Sequence, residues 1–249
     1  MQLKILYQDA HYVAIDKPAG LLVHRSPISR DQVFALQTLR DQLGRRVYPV
    51  HRLDRATSGV LIFGLSADAA RRLVVQFELR EVDKEYLAVA RGWVDTNGII
   101  DHPVADEEGN GIAQTARTRY RRLATIELPF AVDRYPSSRY SLVSIVPETG
   151  RRQQIRKHFK HISHHLIGDT THGNGRHNRF FRVHYGIHRL LLMSRQLGFM
   201  HPYADSRIQI TAGSDTDWQR IETLFAGASR NASVPPDQAK CNRVRGSNG

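Results

Sequence analysis

The segment His51-Arg52-Leu53-Asp54-Arg55-Ala56-Thr57-Ser58-Gly59 runs directly into the apolar segment Val60-Leu61-Ile62-Phe63. A short unbroken apolar run that is bounded by turn residues is typical of a buried β-strand. The Thr-Ser-Gly sequence before it can turn the backbone sharply and hydrogen-bond to it. The sequence therefore predicts a charged loop that leads into a buried strand over residues 60–63.

The charged loop places one carboxylate, Asp54, close to two arginines, Arg52 and Arg55. Nearby opposite charges favour the ionised form of a carboxylate, so a loop of this kind in a basic cleft would present a negatively charged group for chemistry. A surface salt bridge is the simpler interpretation, since such pairs are common and contribute little to stability. The residue pattern alone leaves both interpretations open.

The rest of the chain predicts more strands than helices, without the regular alternation of a doubly wound fold. Apolar periodicity predicts strands over 3–7, 12–15, 85–89, 116–123, 139–146 and 208–211, and helices over 31–43 and 154–162, with two further helices capped by Ser66 and Ser214. Gly44 is expected to end the helix over 31–43. We therefore expect an α+β fold with a mixed, largely antiparallel central sheet and flanking helices.

Two connecting segments and the C-terminus are interpreted from their turn residues and polarity. Residues 95–114 predict a loop or hairpin excursion with a turn at Asn97-Gly98, and the polar residues 171–188, rich in His, Gly and Arg, predict a long functional loop. The Ser/Asn/Pro/Gly-rich end of the chain is typical of a flexible tail. We expect one folded, catalytic domain over 1–226 and a flexible tail over 227–249.

Composition indicates a polyanionic partner. The 249 residues carry a formal net charge of +12, and residues 151–195 contain ten Lys and Arg but a single acid, Asp169. Basic charge that is concentrated in one region favours a nucleic-acid partner over a merely soluble basic protein. The one cysteine, Cys241, cannot form an internal disulfide, and no apolar run is long enough to cross a membrane. We therefore expect a cytoplasmic protein.

Several other chemistries lack their motifs. The nucleophile elbow of hydrolases is absent because Ala56 stands two residues before Ser58. Neither glycine-rich pattern for nucleotide phosphates occurs, so no nucleotide cofactor is expected. His158, His161 and His165 could share one helix face and bind a metal, but no cysteine lies nearby and no H-E-x-x-H occurs. RNA contact or a structural role is the favoured interpretation, and we expect no metal site.

Five segments, taken in order along the chain, resemble the motifs of the RluA-type RNA pseudouridine synthases. They are Asp16–His24, His51–Gly59, Lys84–Tyr86, Thr149–His158 followed by Ile167–Asp169, and Arg189–Leu192 followed by Leu197–Pro202. Five matches in the order of the family motifs identify the family far more specifically than any single match. The resemblance implies the pseudouridine synthase fold, an active-site cleft across the sheet, a reaction without a cofactor, and a monomer.

The chain departs from the family pattern at three places. Gln153 stands where the family usually has His, His165 where it usually has Pro, and Met193-Ser194 where it usually has His-Ala. None of these positions is the implied catalytic acid. The departures therefore bear on details of RNA contact and not on the reaction itself.

The resemblance also assigns roles to individual residues. Asp54 is the implied catalytic carboxylate, acting either as a nucleophile or as the base that takes the C2′ proton. Arg156 is its implied ion-pair partner, and Tyr86 is implied to stack on the uracil. Arg52 is implied to fill the space that the flipped base leaves or to bind flanking phosphates. The other residues expected to contact RNA are Arg55, Arg151, Arg152 and Lys157.

Overall similarity within the family favours tRNA as the substrate, with the uridine at position 65 flipped out of its helix for the reaction. Family members that act on ribosomal RNA share every catalytic residue named above, so a ribosomal RNA synthase is the first alternative. A non-catalytic RNA-binding protein and a metal-dependent hydrolase are the other two alternatives.

Overall fold

The computed structural model describes residues 1–24, 32–105 and 111–231. Within these residues the strands form one ten-stranded sheet and a separate two-stranded hairpin. The strands are β1 (Lys4–Gln8), β2 (Tyr12–Lys17), β3 (Tyr48–Pro49), β4 (Ser58–Gly64), β5 (Asp83–Arg91), β6 (Asn97–Asp101), β7 (Val104–Ala105), β8 (Ala113–Gln114), β9 (Arg117–Leu128), β10 (Ser138–Pro147), β11 (Leu192–Met200) and β12 (Arg207–Thr211). The large sheet has the order β1-β2-β4-β11-β5-β10-β9-β6, with β3 beside β4 and β12 beside β11.

Helices flank this sheet. They are α1 (Ala35–Leu43), α2 (Ala67–Glu78), α3 (Gln154–His161), α4 (Gly175–Tyr185) and α5 (Thr216–Asn231). Leu73 of α2, Phe181 of α4 and Trp218 of α5 belong to the largest apolar cluster, and Phe159 of α3 belongs to a second one with β5 and β10. No helix in the described ranges is long and apolar enough to cross a membrane.

Strand β4 is the buried strand that the sequence predicts, and all seven of its residues are buried. β2 pairs along one of its edges, while β3 and β11 share the other. The contact with β11, where Ser194 lies opposite Gly59, is parallel, and the other described strand pairs are antiparallel. The predicted α+β fold with a largely antiparallel sheet is confirmed, and the charged loop opens beside the centre of the sheet.

Two predicted helix ends are confirmed. The Ser66 side chain accepts a hydrogen bond from the Ala69 backbone N–H at 3.1 Å, which satisfies a free donor at the start of α2. Gly44 ends α1 with φ of +63°, a conformation that glycine adopts without a steric penalty. The start of α1 was predicted wrongly, since the helix begins at Ala35; residue 31, the predicted start, lies outside the described residues. Phe34 has an extended backbone and forms a parallel β-bridge with Leu22, in the segment after β2. This pairing keeps the residue out of the helix.

The predicted turn at Asn97-Gly98 is wrong, because these residues begin β6, which pairs with β9. A Cβ on Gly98 would lie 2.5 Å from the Tyr120 hydroxyl oxygen. The glycine therefore serves close packing under an aromatic ring instead of a turn. Residues 106–110, in the later part of the same segment, lie outside the described residues.

The long loop predicted over 171–188 is also wrong, because helix α4 occupies most of it. The Asn174 side chain caps this helix by accepting a hydrogen bond from the Arg176 N–H at 3.0 Å. Phe180 and Phe181 are buried, whereas most other residues of the helix are polar. Such a narrow apolar stripe gives a weak periodic signal, which the polar composition obscured.

The last helix differs from its prediction at both ends. Asp215, not Ser214, caps α5, since its carboxylate accepts a hydrogen bond from the Trp218 N–H at 3.1 Å. The helix continues to Asn231, beyond the domain end expected at 226. The remainder of the expected tail, residues 232–249, lies outside the described residues.

Candidate active site

A cleft of about 670 Å³ opens where the charged loop meets the middle strands of the sheet. Its lining comes from the end of α2, the start of β5 and residues 147–156, which lead into α3. Its charged lining comprises the cations Arg52, Arg80, Lys84, Arg151, Arg152 and Arg156 and the acids Asp54, Glu78 and Glu148. The excess of cations suits a polyanion that carries its own negative charge into the cleft.

Asp54 lies in the cleft with 19% of its side chain exposed. Its backbone carbonyl accepts a hydrogen bond from the Thr57 N–H at 3.1 Å, which closes the turn before β4. Gly59 follows with φ of +104°, and a Cβ there would lie 2.1 Å from the Ser194 carbonyl oxygen. The glycine is therefore required by both its backbone conformation and its contact with β11, and together they fix the direction of the loop.

Arg156 reaches the cleft from α3 and contacts two carboxylates. Its Nη1 lies 3.6 Å from Asp54 Oδ2, while its Nε and Nη2 donate to the two oxygens of Asp169 at 2.7 and 2.8 Å. The resemblance named only Asp54 as a partner. The closer pair is with Asp169, which holds the guanidinium in one orientation beneath the loop.

Burial and charge oppose each other in this pair. Burial alone would lower the pKa of Arg156, but the hydrogen bond and charge of Asp169, and then the charge of Asp54, raise it above its ordinary value. Burial alone would raise the pKa of Asp169, but the Arg156 hydrogen bonds and backbone N–H donors hold it below its ordinary value. Both groups are therefore ionised in the folded protein at neutral pH.

The loop after Asp169 extends the network to the start of α3. The Asp169 carboxylate also accepts hydrogen bonds from the backbone N–H groups of Thr171 and His172 at 2.9 and 2.8 Å. The His172 Nε2 lies 2.6 Å from the amide oxygen of Gln153, which lines the cleft. Gln153 is one of the positions at which the chain departs from the family pattern, and its contact with His172 helps to hold this loop in place.

Tyr86 lies in the cleft on β5, and its strand register aligns it with Ser194 of β11 and, beyond that, Gly59 of β4. Burial and the charge of Asp54 raise the pKa of Tyr86 to about 12, while a hydrogen bond with Ser194 acts in the opposite direction. The phenol therefore remains protonated at neutral pH and can donate its proton in a hydrogen bond.

Lys17 is a buried cation that joins two of the matched segments. Its Nζ donates to the carbonyls of Pro18, Leu21 and Arg55 at 2.9, 2.8 and 3.2 Å. Burial lowers the pKa of Lys17 to about 7, and the charge of Asp54 acts in the opposite direction. The hydrogen bonds tie the turn after β2 to the loop that carries Asp54.

The structure separates the residues that were expected to bind RNA into two groups. Arg52, Arg151 and Arg152 line the cleft. Arg55 and Lys157 do not line it: the Arg55 side chain donates to the Gly20 carbonyl at 3.1 Å, and Lys157 donates to the Ala105 carbonyl.

Sequence reasoning missed several residues of the site. It did not assign Asp169 to the ion pair, and it did not place Arg80 or Lys84 in the cleft. A signal was available for Lys84, because it stands two residues before Tyr86 and alternate residues of a strand share a face. No local signal places Arg80 or Asp169, since each depends on how distant elements pack.

The three histidines that raised the metal alternative have separate partners. His158 is buried between Thr118 and the His102 carbonyl at 2.8 and 2.9 Å, and the His161 ring stacks on His102 at 3.7 Å. His165 follows the helix and donates to a backbone carbonyl. In the described part of the chain no three His, Cys, Asp or Glu side chains are grouped so that they could hold a metal ion.

Comparison with known proteins identifies the family of this chain. Residues 11–161 match the RNA pseudouridylate synthase family. A protein of Vibrio cholerae named tRNA pseudouridine synthase C is 45% identical and covers 90% of this chain and 96% of its own length. The proteins of the same name from Pasteurella multocida and Yersinia pestis are each 46% identical over 90% of this chain, and cover 97% and 91% of their own lengths.

Two solved structures share the fold at lower identity. Human RNA Pseudouridylate Synthase Domain Containing 4 superposes with a TM-score of 0.70 at 22% identity, covering 90% of this chain and 93% of that one. Human RNA Pseudouridylate Synthase Domain Containing 1 gives 0.68 at 22% identity, covering 95% and 97%. The sequence matches confirm the resemblance drawn from the five motifs, and the chain belongs to the RluA-type RNA pseudouridine synthases.

Proposed function

We propose that this enzyme isomerises a uridine in tRNA to pseudouridine, with Asp54 as the catalytic carboxylate. The observation that carries the proposal is the position of Asp54, a partly exposed carboxylate at the floor of a cationic cleft, 3.6 Å from a buried arginine. The names of the relatives support tRNA as the substrate class. We further propose that the enzyme is a monomer and acts in the cytoplasm.

The reaction breaks the N1–C1′ bond of uridine, rotates the uracil and forms a C5–C1′ bond. N1 gains a proton and C5 loses one, so atoms and electrons balance without a redox partner. Asp54 supports either of two routes: its carboxylate adds to the substrate as a nucleophile, or it takes the C2′ proton as a base. Both routes require an ionised carboxylate, and Arg156 Nη1 lies 3.6 Å from Asp54 Oδ2, where it can hold that carboxylate in place.

Tyr86 and Arg52 act on the base and on the RNA around it. The Tyr86 ring stacks on the uracil, and its protonated hydroxyl can relay the proton that leaves C5. A base in a helix must be flipped out, which costs a few kcal/mol of unstacking. Arg52 is exposed at the edge of the cleft, where it can fill the vacated space or bind a flanking phosphate.

The chemistry is tested with Asp54→Asn, which keeps the shape of the side chain and removes its charge. Glu78→Gln is the matched control, because it removes a carboxylate from the same cleft without changing the loop that carries Asp54. We expect Asp54→Asn to lower the single-turnover rate by ~10²-fold or more while RNA affinity is retained, and the control to keep its rate. A variant that kept more than about a tenth of the wild-type rate would contradict the role of Asp54.

The substrate is tested by incubating the enzyme separately with unmodified tRNA transcripts and with ribosomal RNA fragments and then mapping the product. We expect pseudouridine in tRNA, at position 65. Product in the ribosomal fragments alone would overturn the tRNA assignment and leave the chemistry at Asp54 standing. Binding without product in either RNA, together with unchanged affinity of Asp54→Asn, would identify a non-catalytic RNA-binding protein.

RNA affinity should also fall steeply with salt, because each neutralised phosphate releases counterions and adds about −0.9 to the slope of log affinity against log salt for a duplex. The basic residues in 151–195 are the proposed source of that slope. A titration across salt concentrations measures it. A flat dependence would exclude this region as the RNA surface.

A further inference from the structure

The wall of the cleft formed by the end of α2 and the start of β5 carries two cations that the reaction does not use, Arg80 and Lys84. Lys84 stands two residues before Tyr86 on β5. Side chains two apart on a strand project from the same face, and their Cα atoms are about 7 Å apart. Lys84 therefore faces the space next to the one that the uracil would occupy.

In the described part of the chain neither cation has an acidic partner. Among the described residues no carboxylate lies within ion-pair distance of Arg80 or Lys84. Burial lowers the pKa of Lys84, and the charge of Arg80 lowers it further. Of the acids that line the cleft, Glu148 pairs with Arg119 at 2.8 Å, and Glu78 lies in the last turn of α2. Two like charges thus face the same space uncompensated, which an anion would relieve.

The backbone at Arg80 gives an independent indication. The residue ends α2 in the left-handed conformation, with φ of +62°, and its N–H donates to the Phe77 carbonyl while that of Glu81 donates to the Gln76 carbonyl. This is a Schellman motif, in which the left-handed position is usually glycine. An arginine at this position carries a steric penalty that glycine would avoid. The presence of arginine is therefore better explained by what its guanidinium does in the cleft than by the backbone.

His51 forms a neutral floor beneath these cations. Its Nε2 accepts a hydrogen bond from the Ile62 N–H at 3.3 Å, and its ring stacks on Phe77 at 4.7 Å. Burial lowers the pKa of His51 to about 3, and the charge of Lys84 acts in the same direction. The ring therefore adds no charge to this part of the cleft, and Arg80 and Lys84 supply its positive charge.

We propose that Arg80 and Lys84 form a phosphate subsite that binds one backbone phosphodiester next to the uridine in the cleft. The proposal rests on the proposed function in that RNA is the ligand. Arg151, Arg152 and Asp54 line the same cleft, so an RNA strand held by Arg80 and Lys84 would also pass these cations and the carboxylate. A phosphodiester is an anion at every working pH and accepts hydrogen bonds from both side chains.

The protein side of the test uses Arg80→Gly, Lys84→Met and the double variant. Arg71→Gln is the matched control, because it removes one positive charge from the same helix at a position that does not line the cleft. We expect Arg80→Gly and Lys84→Met to unfold at the same or a higher denaturant concentration, since one relieves the backbone and the other removes an unpaired cation. Folding failure is thereby separated from loss of binding.

The binding measurement uses a tRNA transcript at several salt concentrations. Each cleft variant should weaken affinity by about tenfold and reduce the salt slope by about one. Arg71→Gln should leave both values unchanged. Variants that lose stability but keep affinity would show that the two residues only support the end of α2, and would overturn the proposal.

The RNA side of the test replaces single phosphodiesters around the target uridine with uncharged methylphosphonates. At one linkage the replacement should weaken wild-type binding by the same factor as the double variant, and it should weaken the double variant no further. Additive effects at every linkage would overturn the subsite. Inorganic phosphate added at constant ionic strength should not displace the RNA from the subsite. If it did, Arg80 and Lys84 would form a site for a free phosphate ion instead of a backbone phosphodiester, and the proposal would be overturned. Pseudouridine formation by the wild-type enzyme in the same RNA is measured separately. A failure of the proposed function is thereby distinguished from a failure of the subsite.

Discussion

Replacing Asp169 with asparagine removes the charge that holds Arg156 next to the loop that carries Asp54, and it keeps the shape of the side chain. The pair is bidentate at 2.7 and 2.8 Å, and the two side chains are only 6% and 1% exposed, so solvent screens it little. In the variant an amide N–H would face one guanidinium donor, leaving a buried charge partly unpaired. Breaking a buried pair in this way costs about 3–5 kcal/mol of unfolding free energy. That is a large fraction of the ~5–15 kcal/mol that a typical domain has.

The measurement is denaturant unfolding of wild type, Asp169→Asn and the control Asp68→Asn. Asp68 also contacts two arginines, Arg71 and Arg72, but on an exposed helix surface, where such pairs contribute little. The control should therefore unfold close to wild type. If Asp169→Asn unfolded at the same denaturant concentration as the control, the inference that this buried pair anchors the site would be refuted.

The pH dependence supplies a second readout for the same variant. The folded-state pKa of Asp169 is lowered, so its contribution is fully present above the ordinary aspartate pKa of about 3.9 and is lost as pH falls through the folded value. The stability difference between wild type and Asp169→Asn should thus stay constant from neutral pH down to about 4 and shrink only below it. A difference that vanished already near neutral pH would contradict the assignment.

Three further results are expected. Gly59→Ala should unfold at markedly lower denaturant than the control Gly150→Ala, because a Cβ at 59 would lie 2.1 Å from a β11 carbonyl oxygen whereas nothing lies within 4 Å at 150. Arg156→Ala should lower the catalytic rate more than RNA affinity, and equal losses would make it a phosphate contact only. Stability should fall as pH drops below about 6.5, because the pKa values of His51 and His177 are lowered to about 3 and about 4, mainly by burial. Each such histidine contributes a loss of roughly 1.4 kcal/mol per pH unit until its folded pKa is reached, and a stability profile that is flat between pH 7 and 5 would contradict it.

Local sequence signals determined the parts of this protein that depend on neighbouring residues. The apolar run at 60–63 specified a buried strand, and Ser66 and Gly44 marked helix ends through hydrogen bonding and backbone freedom that each residue carries by itself. The motif around Asp54 marked the carboxylate through its resemblance to the family pattern, whereas its charges alone left a surface salt bridge as an equal interpretation. Where a local pattern was weak, as in α4 with its narrow apolar stripe, the prediction was wrong.

Tertiary structure alone decided which distant residues meet. Arg156 and Asp169 are 13 positions apart, and Asp54 is about a hundred positions before them, yet packing of α3 against the sheet brings the three side chains together. Arg80 and Lys84 acquire a shared role only because α2 and β5 border the same cleft. Even Gly98, which looked like a turn residue, is explained by a tyrosine on another strand. Periodicity and capping encode the conformation of a segment, whereas contacts across the fold depend on strand order and helix placement, which no local pattern contains.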